Sequence, residues 1–269
     1  MRRFLFIFAV ALAHISCASR PTTLTPTRPS LSTENVETLA KVESRLVLWY
    51  VPGISGQRPL DDRFLVALAD AIQTQSTSIT TTRITNWSGA NAGLNSLLNY
   101  PRARQQALLL ASDLQAYASA NPNDRLVLLC HSAGAGVTAW ALEAMPPDVR
   151  ISTWVMLAPA LSPGYDLTSA LGRVAKAYVF SSELDSIVLG TGTRLLGTID
   201  RVQSDAAGRV GFTRAYPNLD ELKYDKSWMA FNNDGDHIGP MMPRFARAVI
   251  APLITPHTNS TITGDATSN

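Results

Sequence analysis

One serine lies in a sequence context that is typical of a nucleophile. The pentapeptide Cys130-His131-Ser132-Ala133-Gly134 follows an apolar run, Leu126–Cys130, and passes directly into a stretch with helical character. In a Gly-x-Ser-x-Gly motif, a sharp turn between a strand and a helix holds the serine oxygen clear of the sheet, and the tight turn requires small neighbours. Cysteine, which is small, stands here in place of the first glycine. Ser132 is therefore a candidate for nucleophilic attack on a carbonyl carbon.

The elements that must position Ser132 alternate between strands and helices. Continuous apolar runs predict strands buried on both faces, and apolar residues at helical spacing predict the helices between them. This alternation is typical of an α/β fold with a mostly parallel sheet and helices on both faces, in which reactive groups collect at the carboxyl ends of the strands. The predicted strands are Leu46–Val51, Ser78–Thr85, Arg125–Cys130, Ile151–Leu157 and Ala175–Ser181, and the predicted helices are Asp61–Gln75, Arg102–Ala120, Gly134–Ala144 and Pro243–Ile254.

Three local expectations follow from the same patterns. The last segment, Pro243–Ile254, is predicted to be an amphipathic helix. Trp87, Ser88, Asn91 and Asn95 form a polar loop after the second strand, which is expected to be an ordinary surface loop, with a border of the substrate site as the alternative. In the helix over 102–120, the spacing predicts a buried face formed by Leu108, Ala111, Leu114 and Ala118.

With these elements around it, the motif at Ser132 resembles that of the α/β-hydrolase superfamily, its lipase- and esterase-like members in particular. The resemblance covers most of residues 45–254 and is strongest across Leu126–Trp140. It implies a fold of the α/β-hydrolase type, with the nucleophile, an acid and a histidine in that order along the chain. It also implies acyl transfer through an acyl-enzyme, for which neither a cofactor nor a metal is required.

The histidine that this order requires is identified by elimination. His14 belongs to a predicted leader, and His257 belongs to the C-terminal tail. His131 adjoins Ser132, and its side chain is expected to point away from the serine oxygen. His237 remains, in a polar, glycine-flanked loop before the last helix, where the family places its general base.

The acid is predicted to lie just beyond the strand that ends at Ser181. Asp185 is followed by a small residue and then by an apolar one, and this context resembles the acid loop of the family. Its role would be to accept the imidazole N–H of His237 and to fix the tautomer of the ring. Glu183 is the second candidate for the acid, and Asp166 is the third.

An oxyanion hole requires backbone N–H donors and no particular side chain. One donor is expected to be the amide of Ala133, the residue after the nucleophile. The second is expected in the loop after the first strand, Pro52–Gly56, where Ile54 is the candidate. The family often has His-Gly in this loop, and Pro52-Gly53 replaces it here.

The composition limits the classes of partner. The chain has 269 residues, of which 46% are hydrophobic, so it can form a sizeable core. Lys and Arg number 23 against 21 Asp and Glu, and loss of Arg2 and Arg3 with a leader would leave no net charge. With no basic excess to neutralise phosphates, we expect no nucleic-acid partner. The cysteines, histidines and carboxylates also lack metal-ligand spacing.

The N-terminus has the pattern of an export signal. Met1–Arg3 is basic, and the apolar run Phe4–Ala13 is too short to span a bilayer. Ile15-Ser16-Cys17 resembles the end of a bacterial lipobox, in which the cysteine is lipidated, whereas cleavage after Ala13 or Ala18 would give a secreted protein. We therefore divide the chain into a signal peptide (1–16), a Pro/Thr/Ser-rich tether (17–35), the hydrolase domain (36–254) and a disordered tail (255–269).

Together these patterns predict an exported serine hydrolase, anchored to a membrane of the cell envelope through Cys17 or else periplasmic or secreted. Carboxylic esters, small or lipid-like, are the expected substrates, while amides, thioesters and acylated sugars remain open because they use the same groups. The alternative is a lipoprotein that keeps the fold and serves as a binding or scaffolding protein without catalysis. The sequence predicts nothing about the oligomeric state.

Overall fold

The computed structural model describes residues 45–75, 80–89 and 92–255. The predicted signal peptide, the tether, Cys17 and nearly all of the tail lie outside these residues.

A single parallel sheet forms the centre of the described residues. Its six strands lie in the order β2-β1-β3-β4-β5-β6, and every neighbouring pair is parallel. The predicted α/β class with a parallel sheet is therefore confirmed. The strands are β1 (Leu46–Val51), β2 (Thr80–Ile84), β3 (Arg125–His131), β4 (Ile151–Leu157), β5 (Val174–Ser181) and β6 (Leu219–Lys223).

Helices cover the sheet on both faces. Side chains of β1 alternate between two apolar clusters: Val47 and Trp49 pack on one face, and Leu46 and Leu48 pack on the other. This is the period of two expected of a strand buried on both sides. The helices are α1 (Pro59–Gln75), α2 (Leu94–Leu98), α3 (Tyr100–Ala120), α4 (Gly134–Ala144), α5 (Thr168–Leu171), α6 (Thr193–Leu196), α7 (Ala207–Val210), α8 (Pro243–Phe245) and α9 (Ala251–Ile254).

Helix α3 shows that the prediction of its buried face was partly wrong. Ala111 and Leu114 are buried, as expected, but Leu108 is 60% exposed and Leu110 is buried in its place. Three consecutive leucines, 108 to 110, fill this part of the helix, so apolar character alone does not select the one that faces the sheet. The alanines at 103, 107 and 111 lie along one side of the helix and allow close approach to the core.

The predicted C-terminal helix is present but is not regular. Between α8 and α9, residues Ala246–Ile250 form a π-helical turn. Pro252 follows in α9. Proline has no amide N–H, and its ring crowds the carbonyl group four residues earlier, so regular α-helical bonding cannot continue through this position. The apolar face of the segment nevertheless packs against the sheet through Phe245 and Ile250.

Candidate active site

The turn between β3 and α4 holds Ser132 in an unusual backbone conformation. Its φ angle is 55°, in the left-handed region that favours glycine. Its amide N–H donates to the carbonyl oxygen of Leu157 on the neighbouring strand β4, at 3.0 Å. Helix α4 begins two residues later, so its positive end lies next to Ser132.

The small residues around this turn are required by close backbone contacts. A Cβ atom on Gly134 would lie 2.4 Å from the carbonyl oxygen of Val51 and 2.6 Å from that of Pro52. Cys130, which stands in place of the first glycine of the motif, is wholly buried, with Sγ 3.6 Å from the carbonyl oxygen of Val155. Burial raises the pKa of this thiol to about 12, so it stays protonated near neutral pH and acts as a packing residue.

His237 and Asp185 are hydrogen-bonded to each other. His237 Nδ1 lies 2.6 Å from Asp185 Oδ2. The second carboxylate oxygen of Asp185, Oδ1, accepts the amide N–H of Leu189 at 3.2 Å. The Asp185 side chain is 2% exposed and that of His237 is 16% exposed, so the pair is shielded from bulk water. With Nδ1 donating to Asp185, Nε2 is free to accept a proton.

The two other candidate acids are placed elsewhere. Glu183 is exposed and lines a different cavity, together with Arg209 and Lys223. Asp166 is also exposed, and its carboxylate accepts hydrogen bonds from Thr168, Arg214 and Tyr216. Of the three carboxylates considered from the sequence, Asp185 is the one that contacts His237.

One cavity brings Ser132 and His237 together at the carboxyl ends of the strands. Its volume is about 440 Å³, and its lining also includes Ile54 and Val188. Ser132 and His237 come from different strand–helix connections, 105 positions apart in the sequence. Asp185 does not line the cavity, but it is hydrogen-bonded to His237, which does.

The two backbone amides that are expected to form an oxyanion hole have no hydrogen-bond acceptor among the described residues. Neither the Ala133 N–H nor the Ile54 N–H donates to an acceptor within residues 45–75, 80–89 and 92–255. Ile54 itself lines the cavity. Ala133 directly precedes α4 and is 1% exposed, and Ile54 lies in the loop after β1.

Trp87 fixes the loop that carries Ile54, a role that the sequence did not suggest. The prediction of a surface position was wrong, because the side chain is fully buried. Its indole N–H donates to the carbonyl oxygen of Pro52 at 2.7 Å. A second bond, from the amide of Gly93 to the carbonyl oxygen of Ile54 at 2.6 Å, holds the same loop. A tryptophan directly after a strand, in a polar segment, was the signal that could have indicated such an anchor.

His131 contacts His237, which was not expected. Its Nε2 lies 2.9 Å from the carbonyl oxygen of His237, and because a carbonyl can only accept, Nε2–H donates. The two rings are 4.7 Å apart between centroids. Burial, and secondarily the nearby His237, lower the pKa of His131 to about 3, so this ring is neutral. His131 thus ties the loop of His237 to the turn of Ser132.

The described residues hold no group of three or more histidine, cysteine or carboxylate side chains arranged to bind a metal ion. They also include no helix with the length and apolar character needed to cross a membrane.

Comparison with known proteins relates this arrangement to a family. The family model described as "Alpha/beta hydrolase" matches residues 50–189, a span that includes Ser132 and Asp185 and ends before His237. The match confirms the resemblance inferred from the sequence. No curated protein matches the chain.

Several solved structures are similar to this chain at low sequence identity. Lipase B of Aspergillus fumigatus is 15% identical, with 78% of this chain and 52% of that chain covered and a TM-score of 0.48, so the chain spans about half the length of that lipase. The esterase domain of a Rhodothermus marinus protein is 13% identical over 79% and 86% of the two chains, with a TM-score of 0.46. A cutinase-like protein from Cryptococcus sp. is 12% identical over 78% and 93%, with a TM-score of 0.40.

Proposed function

Since the chain belongs to the alpha/beta hydrolase family, we propose that it is a serine hydrolase that cleaves carboxylic esters. The observation that carries the proposal is the 2.6 Å hydrogen bond between His237 and Asp185, with His237 lining the same cavity as Ser132. A serine and a histidine around one cavity, with a buried carboxylate behind the histidine, are the groups that acyl transfer requires.

In the proposed reaction, Ser132 Oγ attacks the carbonyl carbon of the ester while His237 Nε2 takes the hydroxyl proton. The carbonyl π electrons move to the oxygen, whose negative charge is stabilised by the amides of Ala133 and Ile54. Asp185 holds the ring of His237 and stabilises the imidazolium. When the tetrahedral intermediate collapses, the C–O bond to the alcohol breaks and His237 gives its proton to the leaving oxygen.

Water then hydrolyses the acyl-enzyme, with water as the nucleophile and Ser132 Oγ as the leaving group. His237 takes a proton from the water molecule while the water oxygen attacks the acyl carbon, and His237 returns that proton to Ser132 Oγ as the ester bond breaks. The products are a carboxylic acid and the regenerated enzyme. These steps use only groups of this chain and water.

Covalent labelling with a fluorophosphonate tests the proposal directly. The folded wild-type protein should be labelled, because an activated serine displaces fluoride from the probe, and Ser132→Ala should not be labelled. Ser55, a second serine that lines the same cavity, provides the matched control, and Ser55→Ala should react like the wild type. Absence of labelling in folded wild-type protein would favour the alternative of a binding protein without catalysis.

We also propose that the protein is exported and anchored through a lipid on Cys17. The proposal rests on the basic start, the short apolar run and Ile15-Ser16-Cys17. Expressed in bacteria, the wild-type protein should sediment with the membrane fraction, and Cys17→Ala should move to the soluble fraction because no acyl chains can be attached. An unchanged distribution of the variant would refute the anchor.

A further inference from the structure

The segment that follows Asp185 exposes apolar side chains where a surface helix normally exposes polar ones. It consists of the π-helical turn Ile187–Gly192 and helix α6. Leu189 and Thr193 face the interior. Four large apolar side chains of this segment are instead 42% to 81% exposed; these residues, the apolar surface below, are Ile187, Val188, Leu195 and Leu196.

Single exposed apolar residues are common on proteins, but a local group of this kind indicates a binding surface. The residues between Ser186 and Thr193 include no ionisable side chain. The first cation after them, Arg194, is paired with Asp205 at 2.6 Å. A ligand that covers the turn would therefore remove apolar surface from water, and its binding would not require the desolvation of an unpaired charge in the turn.

The apolar surface is continuous with the cavity that contains Ser132. Val188 belongs both to the surface and to the cavity lining, beside Ser132 and His237. The position of the segment is also fixed relative to the proposed catalytic groups. The Asp185 carboxylate accepts the Leu189 N–H with one oxygen and bonds to His237 with the other.

From this continuity, we infer that the apolar surface binds the acyl chain of the ester. With the ester carbonyl group at Ser132, the acyl chain of the ester can extend past Val188 and lie over Ile187. The preferred substrates are then esters of medium- or long-chain fatty acids rather than acetates. The inference rests on the proposed function and adds the acyl part of the substrate to it.

The inference is tested by comparing p-nitrophenyl octanoate with p-nitrophenyl acetate, both below concentrations at which they form micelles. The wild type should have the higher kcat/KM for octanoate. Ile187→Ser should lower the octanoate-to-acetate ratio of kcat/KM by about tenfold, since burial of an isoleucine side chain against an apolar partner has at least this effect. Leu108→Ser is the control, because Leu108 is an exposed leucine on α3 and does not line the cavity. Its ratio should equal that of the wild type.

The possible results separate this inference from the proposed function. One result is that fluorophosphonate labels the protein, but the octanoate-to-acetate ratio of kcat/KM is one or less in the wild type or is unchanged in Ile187→Ser. This result would overturn the acyl-chain inference and leave the serine hydrolase proposal intact. Absence of both labelling and hydrolysis would overturn both. Sedimentation of the wild type as a dimer and of Ile187→Ser as a monomer would assign the surface to a second copy of the chain and would also overturn the inference.

Discussion

Replacement of His237 by alanine is expected to lower kcat for an ester such as p-nitrophenyl acetate by about 10⁶-fold, the effect of losing the general base from a Ser-His-Asp unit. Without the imidazole, the variant lacks the group proposed to take the Ser132 proton and to return it to the leaving alcohol. The loss should appear in kcat more than in KM, because the imidazole acts on the proton that is transferred in the transition state. Steady-state kinetics on purified protein measures it.

The control for His237→Ala is a neighbour in the same loop. Asp234 is exposed and accepts a hydrogen bond from the amide of Asp236, so Asp234→Asn should turn over the ester nearly as fast as the wild type. Substantial turnover by folded His237→Ala would rule out the assignment.

Replacement of Asp185 by asparagine is expected to lower kcat by about 10⁴-fold, the effect of losing the carboxylate of such a triad. The carboxylate oxygen 2.6 Å from His237 Nδ1 accepts the ring N–H and stabilises the positive charge that forms on the imidazole. Asparagine is similar in shape but neutral, and its amide can donate to Nδ1, which favours the wrong tautomer. The side-chain oxygen of asparagine can still accept the Leu189 N–H, so the fold should be retained. Circular dichroism checks this.

Glu183→Gln is the matched control, since it makes the same change of carboxylate to amide two residues earlier. Glu183 is exposed and does not contact His237, so this variant should keep the wild-type kcat. If Glu183→Gln lost activity and Asp185→Asn kept it, the roles of the two carboxylates would have to be exchanged.

The centre of the fold could be predicted from the sequence because its signals are local. The apolar runs of β1 and β3 leave no alternative to buried strands, and the small residues around Ser132 indicate a tight turn wherever that turn lies. His237 could be proposed because the chain has only four histidines, and three of them lie in contexts that make a general base implausible. Asp185 required the family resemblance, and the structure shows it bonded to His237.

Other features depend on contacts that no local pattern contains. Strand β6, with the sequence LDELK, has charged side chains because it lies at an edge of the sheet where one side meets water. Such a strand does not differ in composition from a loop. The bond from His131 to the backbone of His237 joins residues 106 positions apart. The burial of Trp87 is likewise set by the carbonyl group of Pro52 on a different strand end.

The positive φ angle of Ser132 has a consequence for the evolution of the chain. A residue with a side chain in the left-handed region costs about 1–2 kcal/mol, an appreciable part of the 5–15 kcal/mol by which a folded domain is usually stable. Glycine would remove this cost and would also remove the hydroxyl group. Selection for thermal stability and selection for turnover therefore act in opposite directions at this position. A library enriched for stability alone would accumulate glycine at 132 and lose its activity.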